Sequence, residues 1–219
     1  MQIILSSNNP KKIQELQAIL EDMEVKSYRA FLESVEIEEN GTSFEQNARI
    51  KAQRIYQLLP KMQGDFCVLA DDSGLCVSAL KGMPGIYSAR FGSIKEGARD
   101  IAQGRFQTPQ TLCDDTQNNL KLLACLEELK ITQSLASFVC VIAVCAQVGG
   151  RFYEQSFRGE CKGRVCKAPL NPQAFGYDPL FIPEGYTLSL DRIQEKNAIS
   201  HRFLALQKAR HFLTSLKTN

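Results

Sequence analysis

Several features that would place a chain in a specialised class are missing from this sequence. Its longest apolar stretch, residues 138–148, is about half the length that a bilayer span needs, so no membrane contact is predicted. No basic leader precedes a hydrophobic stretch of signal-peptide length, which predicts a cytoplasmic protein. The 26 basic and 24 acidic residues leave a formal charge of +2, too little for a broad surface that binds nucleic acid. A local basic pocket for a small anion is compatible with this balance.

Paired metal ligands are also missing. The eight cysteines are scattered, no Cys-x-x-Cys pair occurs, and there are two histidines. Zinc sites are usually built from ligand pairs at short spacing, and Cys161-x4-Cys166 is the nearest approach to one. We therefore expect reduced thiols, mostly buried, in a cytoplasmic protein.

The 219 residues, 44% hydrophobic and 23% charged, predict a single globular domain spanning 1–219. The hydrophobic patterns predict strands at 2–6, 25–30 and 66–70, helices over about 10–23, 44–59, 118–130 and 200–216, and a hairpin over 138–157. Residues 92–117 are predicted to hold loops and short helix. Strands that alternate with helices before a hairpin predict an α/β fold with a mixed twisted central sheet flanked by helices. The hairpin suggests two lobes with an active-site cleft between them.

A strand-to-helix junction near the N-terminus carries Ser7, Asn9 and Lys12. A helix N-terminus offers free N–H groups and a partial positive charge, so a hydroxyl, an amide and an ammonium there would make a phosphate cradle. The Gly-rich spacing of a P-loop is missing, which excludes a Walker motif. An N-cap beside a solvated lysine is the alternative, and the motif alone leaves both open.

Carboxylates cluster before the second helix and after the third predicted strand: Glu36, Glu38, Glu39, Asp71 and Asp72. Strand ends in α/β sheets are where ligands usually bind. Paired carboxylates near a polyphosphate suggest Mg2+, which takes oxygen ligands and bridges phosphates. A solvated acidic turn and a helix-capping aspartate are the alternative. Lys51, about one turn inside the second helix, faces either the same site or solvent.

Two later segments combine aromatic, acidic and basic side chains: FGYDP at 175–179 and KNAISHR at 196–202. An aromatic side chain in a rigid loop can stack on a base, and a carboxylate or peptide group can read the edge of that base. A packed loop anchor is the alternative. Ser200 is predicted to cap the last helix, with His201 and Arg202 in its first turn. Basic residues there oppose the helix dipole, so an anionic ligand would explain them.

Together these segments resemble the inosine triphosphate pyrophosphatase family, also called Ham1-like. The matching stretches occur in the family's order: SSNNPKK at 6–12, EENG at 38–41 with Phe44, Asn47 and Ala48, ADDSGL at 70–75, GIYSAR at 85–90, FGYDP at 175–179 and SHR at 200–202. The resemblance spans nearly the whole chain and is weakest over 92–117. It implies an enzyme that converts deaminated purine nucleoside triphosphates (ITP, dITP and XTP) and water to the monophosphate and pyrophosphate, which cleanses the nucleotide pool. It also implies a homodimer.

The resemblance implies roles for individual residues as well. Glu38 and Asp72 would bind Mg2+, and Asp72 would accept the proton of the attacking water, with Asp71 in support. Ser7, Asn9, Lys12 and Lys51 would hold the triphosphate. Gln46, where Glu is common in the family, is expected to lie outside the ligand set. The other substrate-binding residues would be Ser73, Phe175, Gly176, Tyr177, Asp178, Lys196, His201 and Arg202, with the last two at the 6-oxo group of the base.

Two other functions remain to be separated from this one. A phosphatase that uses Asp71 or Asp72 as a covalent nucleophile would release inorganic phosphate instead of pyrophosphate. A nucleotide-sensing module would bind without turnover, and the combination of Glu38, Asp72 and Lys12 argues against it.

Overall fold

The computed structural model describes residues 1–7, 9–20, 23–168, 171 and 174–217, with the backbone alone at positions 10, 11 and 217. The strands are β1 (Gln2–Leu5), β2 (Val25–Ser27), β3 (Phe66–Val77), β4 (Gln133–Val148), β5 (Arg151–Cys166) and β6 (Phe181–Pro183). The α-helices are α1 (Pro10–Ile19), α2 (Phe44–Leu58), α3 (Ala98–Ala102), α4 (Asp115–Glu128), α5 (Lys196–Ile199) and α6 (His201–Lys217). A 3-10 segment covers Gly85–Ser93. Within these described ranges, no helix has the length and apolar character to cross a bilayer.

Six strands form one mixed sheet in the order β2-β1-β3-β4-β5-β6. β1 pairs in parallel with both neighbours, so that Ile3 lies opposite Val25 on one side and Cys67 on the other. β5 and β6 pair antiparallel. The predicted α/β fold, with a mixed twisted sheet flanked by helices, is confirmed.

The chain divides into two compact units. The first comprises Met1–Asp72, Cys140–Gly159 and His201–Asn219, and the second comprises Ser73–Val139 and Glu160–Ser200. Each unit has its own hydrophobic core. The boundaries fall inside β3, β4 and β5. The single domain and the cleft between two lobes stay predictions.

In the first unit, helices cover the sheet because their apolar residues recur at helical spacing. Leu16 of α1, Leu20 just after that helix, and Leu206 and Leu213 of α6 share a core with side chains of β1 and β3. In α2, Ala48, Ala52 and Ile55 are fully buried at intervals of four and three residues. Ser43 caps α2, because its Oγ accepts a hydrogen bond from the Gln46 N–H at 3.2 Å. The helix predicted over 44–59 is thereby confirmed within one residue.

The prediction that β3 ends at residue 70 is wrong. The strand continues through Asp71 and Asp72 to Val77, because Ser73 and Gly74 adopt extended backbone instead of a turn. The parallel ladder with β1 does end nearby, since its last paired position is Leu5 opposite Leu69. Both carboxylates therefore lie inside a strand, yet just past the carboxyl end of the neighbouring parallel strand, where α/β sheets usually bind ligands.

Candidate active site

Asp71 is enclosed by two cations of the first unit. The Lys12 Nζ lies 2.9 Å from its Oδ2, and the Arg202 Nη2 lies 3.6 Å from the same oxygen. The Asp71 side chain is 2% exposed. Burial alone would raise the pKa of this carboxyl, but the Lys12 and Arg202 charges outweigh burial and hold the pKa well below its usual range. Asp71 is therefore a permanently ionised centre that organises two of the predicted substrate-binding cations.

Arg202 has a second carboxylate partner. Its Nη1 forms an ion pair with Glu15 of α1, and the residue is 3% exposed. α6 begins at His201, so the arginine lies in the first turn, where a cation opposes the helix dipole. Asp71 and Glu15 offset that cost, which accounts for the arginine without a bound anion. Glu15 is a polar residue of α1 to which the sequence patterns assign no role.

Asp72 faces α2 instead, as strand alternation requires of neighbouring residues. Its Oδ1 lies 3.2 Å from Lys51 Nζ, and its Oδ2 accepts a hydrogen bond from Asn47 Nδ2 at 3.3 Å. Burial raises the pKa of Asp72, and the Lys51 charge opposes this only in part. A buried carboxylate of raised pKa is a better proton acceptor than an exposed one.

Lys51 joins Asp72 to the acidic loop. Its Nζ lies 3.1 Å from Glu39 Oε2 as well, whereas Glu38 is exposed. Burial disfavours the lysine charge, but Asp72 and Glu39 outweigh burial and raise the pKa of Lys51 above its usual value. The structure thus answers the question left open for Lys51, which faces the site. It also adds Glu39 to the cluster, while the assignment of Glu38 as a ligand stays a prediction.

The loop before α2 is held by two side chains of that helix. Asn47, 3% exposed, accepts a hydrogen bond from the Gly41 N–H at 2.9 Å while it donates to Asp72. A Cβ at position 41 would lie 2.6 Å from Asn47 Oδ1, so glycine alone allows this approach. Gln46 Oε1 accepts from the Thr42 N–H at 2.7 Å. Gln46 therefore closes the loop, and Asn47 couples the loop to Asp72.

The predicted phosphate cradle has the backbone contacts of a helix start. The Asn9 N–H donates to Ser7 Oγ, and the Lys12 N–H donates to Asn9 Oδ1, both at 3.3 Å. The alternative of an N-cap beside a solvated lysine fails for the lysine, because Lys12 pairs with Asp71. The segment is therefore a helix start whose Lys12 ammonium points to Asp71, and its role in holding a phosphate stays a prediction.

His201 is buried in the first unit, and the other remaining predicted site residues lie in the second unit. Tyr177 is buried, and its hydroxyl donates to the Ser88 carbonyl oxygen at 2.9 Å. Burial raises the pKa of Tyr177 well above its usual value. Asp178 forms an ion pair with Lys196 at 3.0 Å, while Phe175 and Ser73 are half-buried. Tyr177 is thus a packed anchor of its loop, and the roles of these residues in substrate binding stay predictions.

The buried carboxylates Asp71, Asp72 and Asp178 each form an ion pair with an ammonium or guanidinium group. Among the residues that the structure describes, no group of three or more His, Cys, Asp or Glu side chains is placed to hold a metal ion. The eight cysteines are free thiols, five of them buried. Burial raises the pKa of Cys125 and Cys161 to about 11 and that of Cys140 and Cys145 to about 12, so these thiols are inert.

Fold and site together define an α/β protein with two buried carboxylates and their cationic partners at the carboxyl end of a parallel strand, where α/β sheets usually bind ligands. The model of the Ham1 family matches residues 3–212, and this chain belongs to that family. It is 40% identical to a dITP/XTP pyrophosphatase of Campylobacter jejuni subsp. doylei, with 99% of this chain and 98% of the relative covered. A dITP/XTP pyrophosphatase of Clostridium perfringens is 37% identical, with 97% of each covered.

A solved structure of a HAM1 protein from Coxiella burnetii is also similar. Its TM-score is 0.75 at 32% identity, with 98% of this chain and 99% of that chain covered. The family predicted from the six motifs is therefore confirmed, and so is the prediction of an enzyme of the pyrophosphatase class.

Proposed function

We propose that this chain hydrolyses the deaminated purine nucleoside triphosphates ITP, dITP and XTP to the monophosphate and pyrophosphate, with Mg2+, and so cleanses the nucleotide pool. The observation that carries the proposal is the Asp72–Lys51–Glu39 cluster, built around the buried Asp72 at the carboxyl end of β1. The names of the curated relatives support the substrate class. Water attack at the α-phosphorus needs a proton acceptor and positive charge for the departing pyrophosphate, and this cluster has both.

Asp72 is the proton acceptor in this proposal. Its raised pKa favours proton uptake from an attacking water, and Asn47 fixes the orientation of the carboxylate. Lys12 and Lys51 are the charge partners of the phosphates. Both lysines are paired with carboxylates, so a bound triphosphate has to compete with Asp71, Asp72 and Glu39 for them. Asp71, Asp72 and Glu39 would release the lysines to the phosphates if their own charge were balanced by a divalent cation.

The acidic side chains present only oxygen ligands, the type that a hard divalent cation prefers, although the described residues do not bring three of them together in a preformed site. Asp72 and Glu38 are the proposed ligands, and Glu39 is the further carboxylate that the structure places beside Lys51 and Asp72. Mg2+ bound there would stabilise negative charge on the phosphates and lower the pKa of a coordinated water. Asp72 would then hold the proton, while Lys12 and Lys51 would turn to the phosphate oxygens.

Discrimination between bases follows from hydrogen-bond matching at His201 and Arg202. A donor aimed at the 6-oxo group of hypoxanthine meets another donor when adenine presents its amino group. Buried polar groups left unpaired cost several kcal/mol, which gives large selectivity. Guanine shares the 6-oxo group, so its exclusion has to come from elsewhere, such as crowding at the 2-amino group.

A panel of nucleoside triphosphates with Mg2+, scored by pyrophosphate formed, tests the proposal. ITP, dITP and XTP should release pyrophosphate much faster than ATP and GTP. The assay is run with and without added pyrophosphatase, because a covalent phosphatase would release inorganic phosphate without it. Binding without turnover would indicate a sensor. Equal turnover of ATP, GTP and ITP would contradict the proposed role in cleansing the nucleotide pool.

We also propose a homodimer located in the cytoplasm. Two large apolar side chains lie on the surface near the start of α4, Leu112 at 69% and Leu120 at 53% exposure, and they favour burial against a second copy. Eight free thiols favour a reducing compartment. Sedimentation of the wild type and of the Leu112→Ser, Leu120→Ser double variant tests the dimer, and a wild type that sediments as a monomer would contradict it.

A further inference from the structure

The loop that carries Gly176 is held by the first turns of α4. The Gly176 N–H donates to Asp115 Oδ2 at 2.9 Å, and the Gly176 carbonyl accepts from Asn119 Nδ2 at 2.8 Å. Positions four apart on a helix share one face, so the two side chains reach the same residue. Gly176 has a φ of +57°, which glycine adopts without strain. We call the Asp115–Gly176–Asn119 contacts the Gly176 clamp.

The neighbouring asparagine holds a different segment. Asn118 Oδ1 accepts from the Gly92 N–H at 2.8 Å, and its Nδ2 donates to the Cys113 carbonyl. Asn118 and Asn119 are equally buried, at 3% and 4% exposure. They therefore form a matched pair of buried amides in the same helix turn. Of the two, Asn119 is the one that bonds the Gly176 loop, which the family resemblance implies to bind the substrate.

Burial shows what the Asn119 amide does. Its Oδ1 is buried and finds no hydrogen-bond partner within the described part of the chain. An unsatisfied buried polar atom is costly, so a position needed only to fill space would be better occupied by an apolar side chain. The donation to Gly176 is therefore the contribution of this amide that an apolar residue could not supply.

We propose that Asp115 and Asn119 are positioning residues for base recognition. They fix the N–H and the carbonyl of Gly176, and with them the two peptide planes between Phe175 and Tyr177. In this proposal, the fixed peptide planes place the loop where it can read the base edge. Base selectivity requires polar groups placed within a fraction of an ångström, and a loop held through its backbone supplies that. This inference rests on the proposed function, because it needs the loop to contact the base.

The test compares kcat/KM for ITP and GTP in the full-length wild type and in Asn119→Ala, with Asn118→Ala as the matched control. Asn119→Ala should lower the ITP-to-GTP ratio about tenfold, equivalent to about 1.4 kcal/mol, mainly through KM for ITP. Asn119→Asp should lower it further, because a carboxylate oxygen would then face the Gly176 carbonyl. Asn118→Ala should lose a similar amount of thermal stability and keep the ratio within about twofold.

Asp115 gives an independent variant that does not depend on a buried side chain, since Asp115 is half-buried. Asp115→Ala should lower the ratio, and Asp115→Asn, which keeps an acceptor oxygen for the Gly176 N–H, should restore it. Equal ratios in Asn119→Ala and Asn118→Ala, or an unchanged ratio in Asp115→Ala, would overturn the inference alone. A wild type that releases no pyrophosphate from ITP would overturn the proposed function as well.

Discussion

Replacing Asp71 and Asp72 one at a time tests whether adjacent carboxylates of β3 do different work. Asp71→Asn keeps the shape of the side chain and removes the charge between Lys12 and Arg202. Asp72→Asn removes the charge beside Lys51. Since the pKa of Asp71 is lowered and that of Asp72 is raised, the fold favours ionisation at the first position and disfavours it at the second.

The contacts set the size of the effect. At the 2.9 Å separation from Lys12, a unit charge pair has an energy of about 6 kcal/mol at an effective dielectric constant near 20. Desolvation cancels part of this attraction, and removal of one partner of a buried pair typically costs about 3–5 kcal/mol. We expect a loss in this range for Asp71→Asn. Asp72→Asn should cost much less, because it removes a charge that burial already disfavours.

The two carboxyls also predict opposite slopes of stability against pH. A carboxyl whose pKa is lowered by folding stabilises the fold above its unfolded pKa, about 4, and this stabilisation is lost as the pH falls. Asp71→Asn should therefore remove part of the acid sensitivity of the wild type below about pH 4. Asp72, with a raised pKa, lowers stability as the pH rises past its unfolded value. Asp72→Asn should thus gain relative to the wild type towards neutral pH.

Urea unfolding over a pH series, together with pyrophosphate release from ITP, measures both effects. Asp71→Asn should lose several kcal/mol of unfolding free energy at pH 7. Asp72→Asn should lose little of it, bind nucleotide measurably and show no turnover. Equal stability losses, or a loss below about 1 kcal/mol in Asp71→Asn, would refute the assignment of the stabilising charge to Asp71. Unchanged turnover in Asp72→Asn would remove that residue from the mechanism.

The remaining predictions concern the acidic loop, its asparagine and the thiols. Glu38→Gln should raise the Mg2+ concentration needed for half-maximal activity. Glu39→Gln should lower the pKa of Lys51 and move the alkaline limb of the pH–rate profile to lower pH. Identical Mg2+ and pH profiles in the two variants would contradict separate roles for the two glutamates. Asn47→Asp should place a like charge beside Asp72 and move the acidic limb to higher pH, whereas Asn47→Ala should lower kcat without that shift. A thiol reagent should modify at most three cysteines quickly in the native chain, the half-buried Cys76, Cys113 and Cys166, and all eight in denaturant. More than three fast-reacting thiols would contradict the burial of the other five cysteines.

Much of the fold was predictable where periodicity is strong. α2 and α6 match their predicted ranges closely, because apolar residues recur at helical spacing over four turns or more. β3 was predicted too short, since Ser73 and Gly74 are turn residues by composition and extended in the sheet. α4 begins three residues before its predicted start, because Asp114 and Gln117 form a capping box. Pairing with neighbouring strands decided the length of β3, and a capping box decided the start of α4. Apolar spacing reveals neither.

Part of the candidate site was predictable as well. Asp71 and Asp72 were identifiable as a carboxylate pair at a predicted strand end, and Lys12 was identifiable from its position at a strand-to-helix junction. The pairing itself was not, because strand alternation sends Asp71 towards α1 and α6 and sends Asp72 towards α2. The sequence indicated an anionic ligand for Arg202, and the fold supplies Asp71 and Glu15 instead.

The side chains that sequence reasoning missed act mostly through backbone groups. Asn47 bonds the Gly41 N–H, Asn119 bonds the Gly176 carbonyl, and Asn118 bonds the Gly92 N–H. An asparagine in a helix shows no periodic signal, since its propensity is poor and its partner lies in another part of the chain. Each of these three is nevertheless buried, and a buried amide has to find a partner. Because Gly41 and Gly176 belong to two of the motifs that carry the family resemblance, α2 and α4 fix the geometry of loops whose own residues alone looked functional.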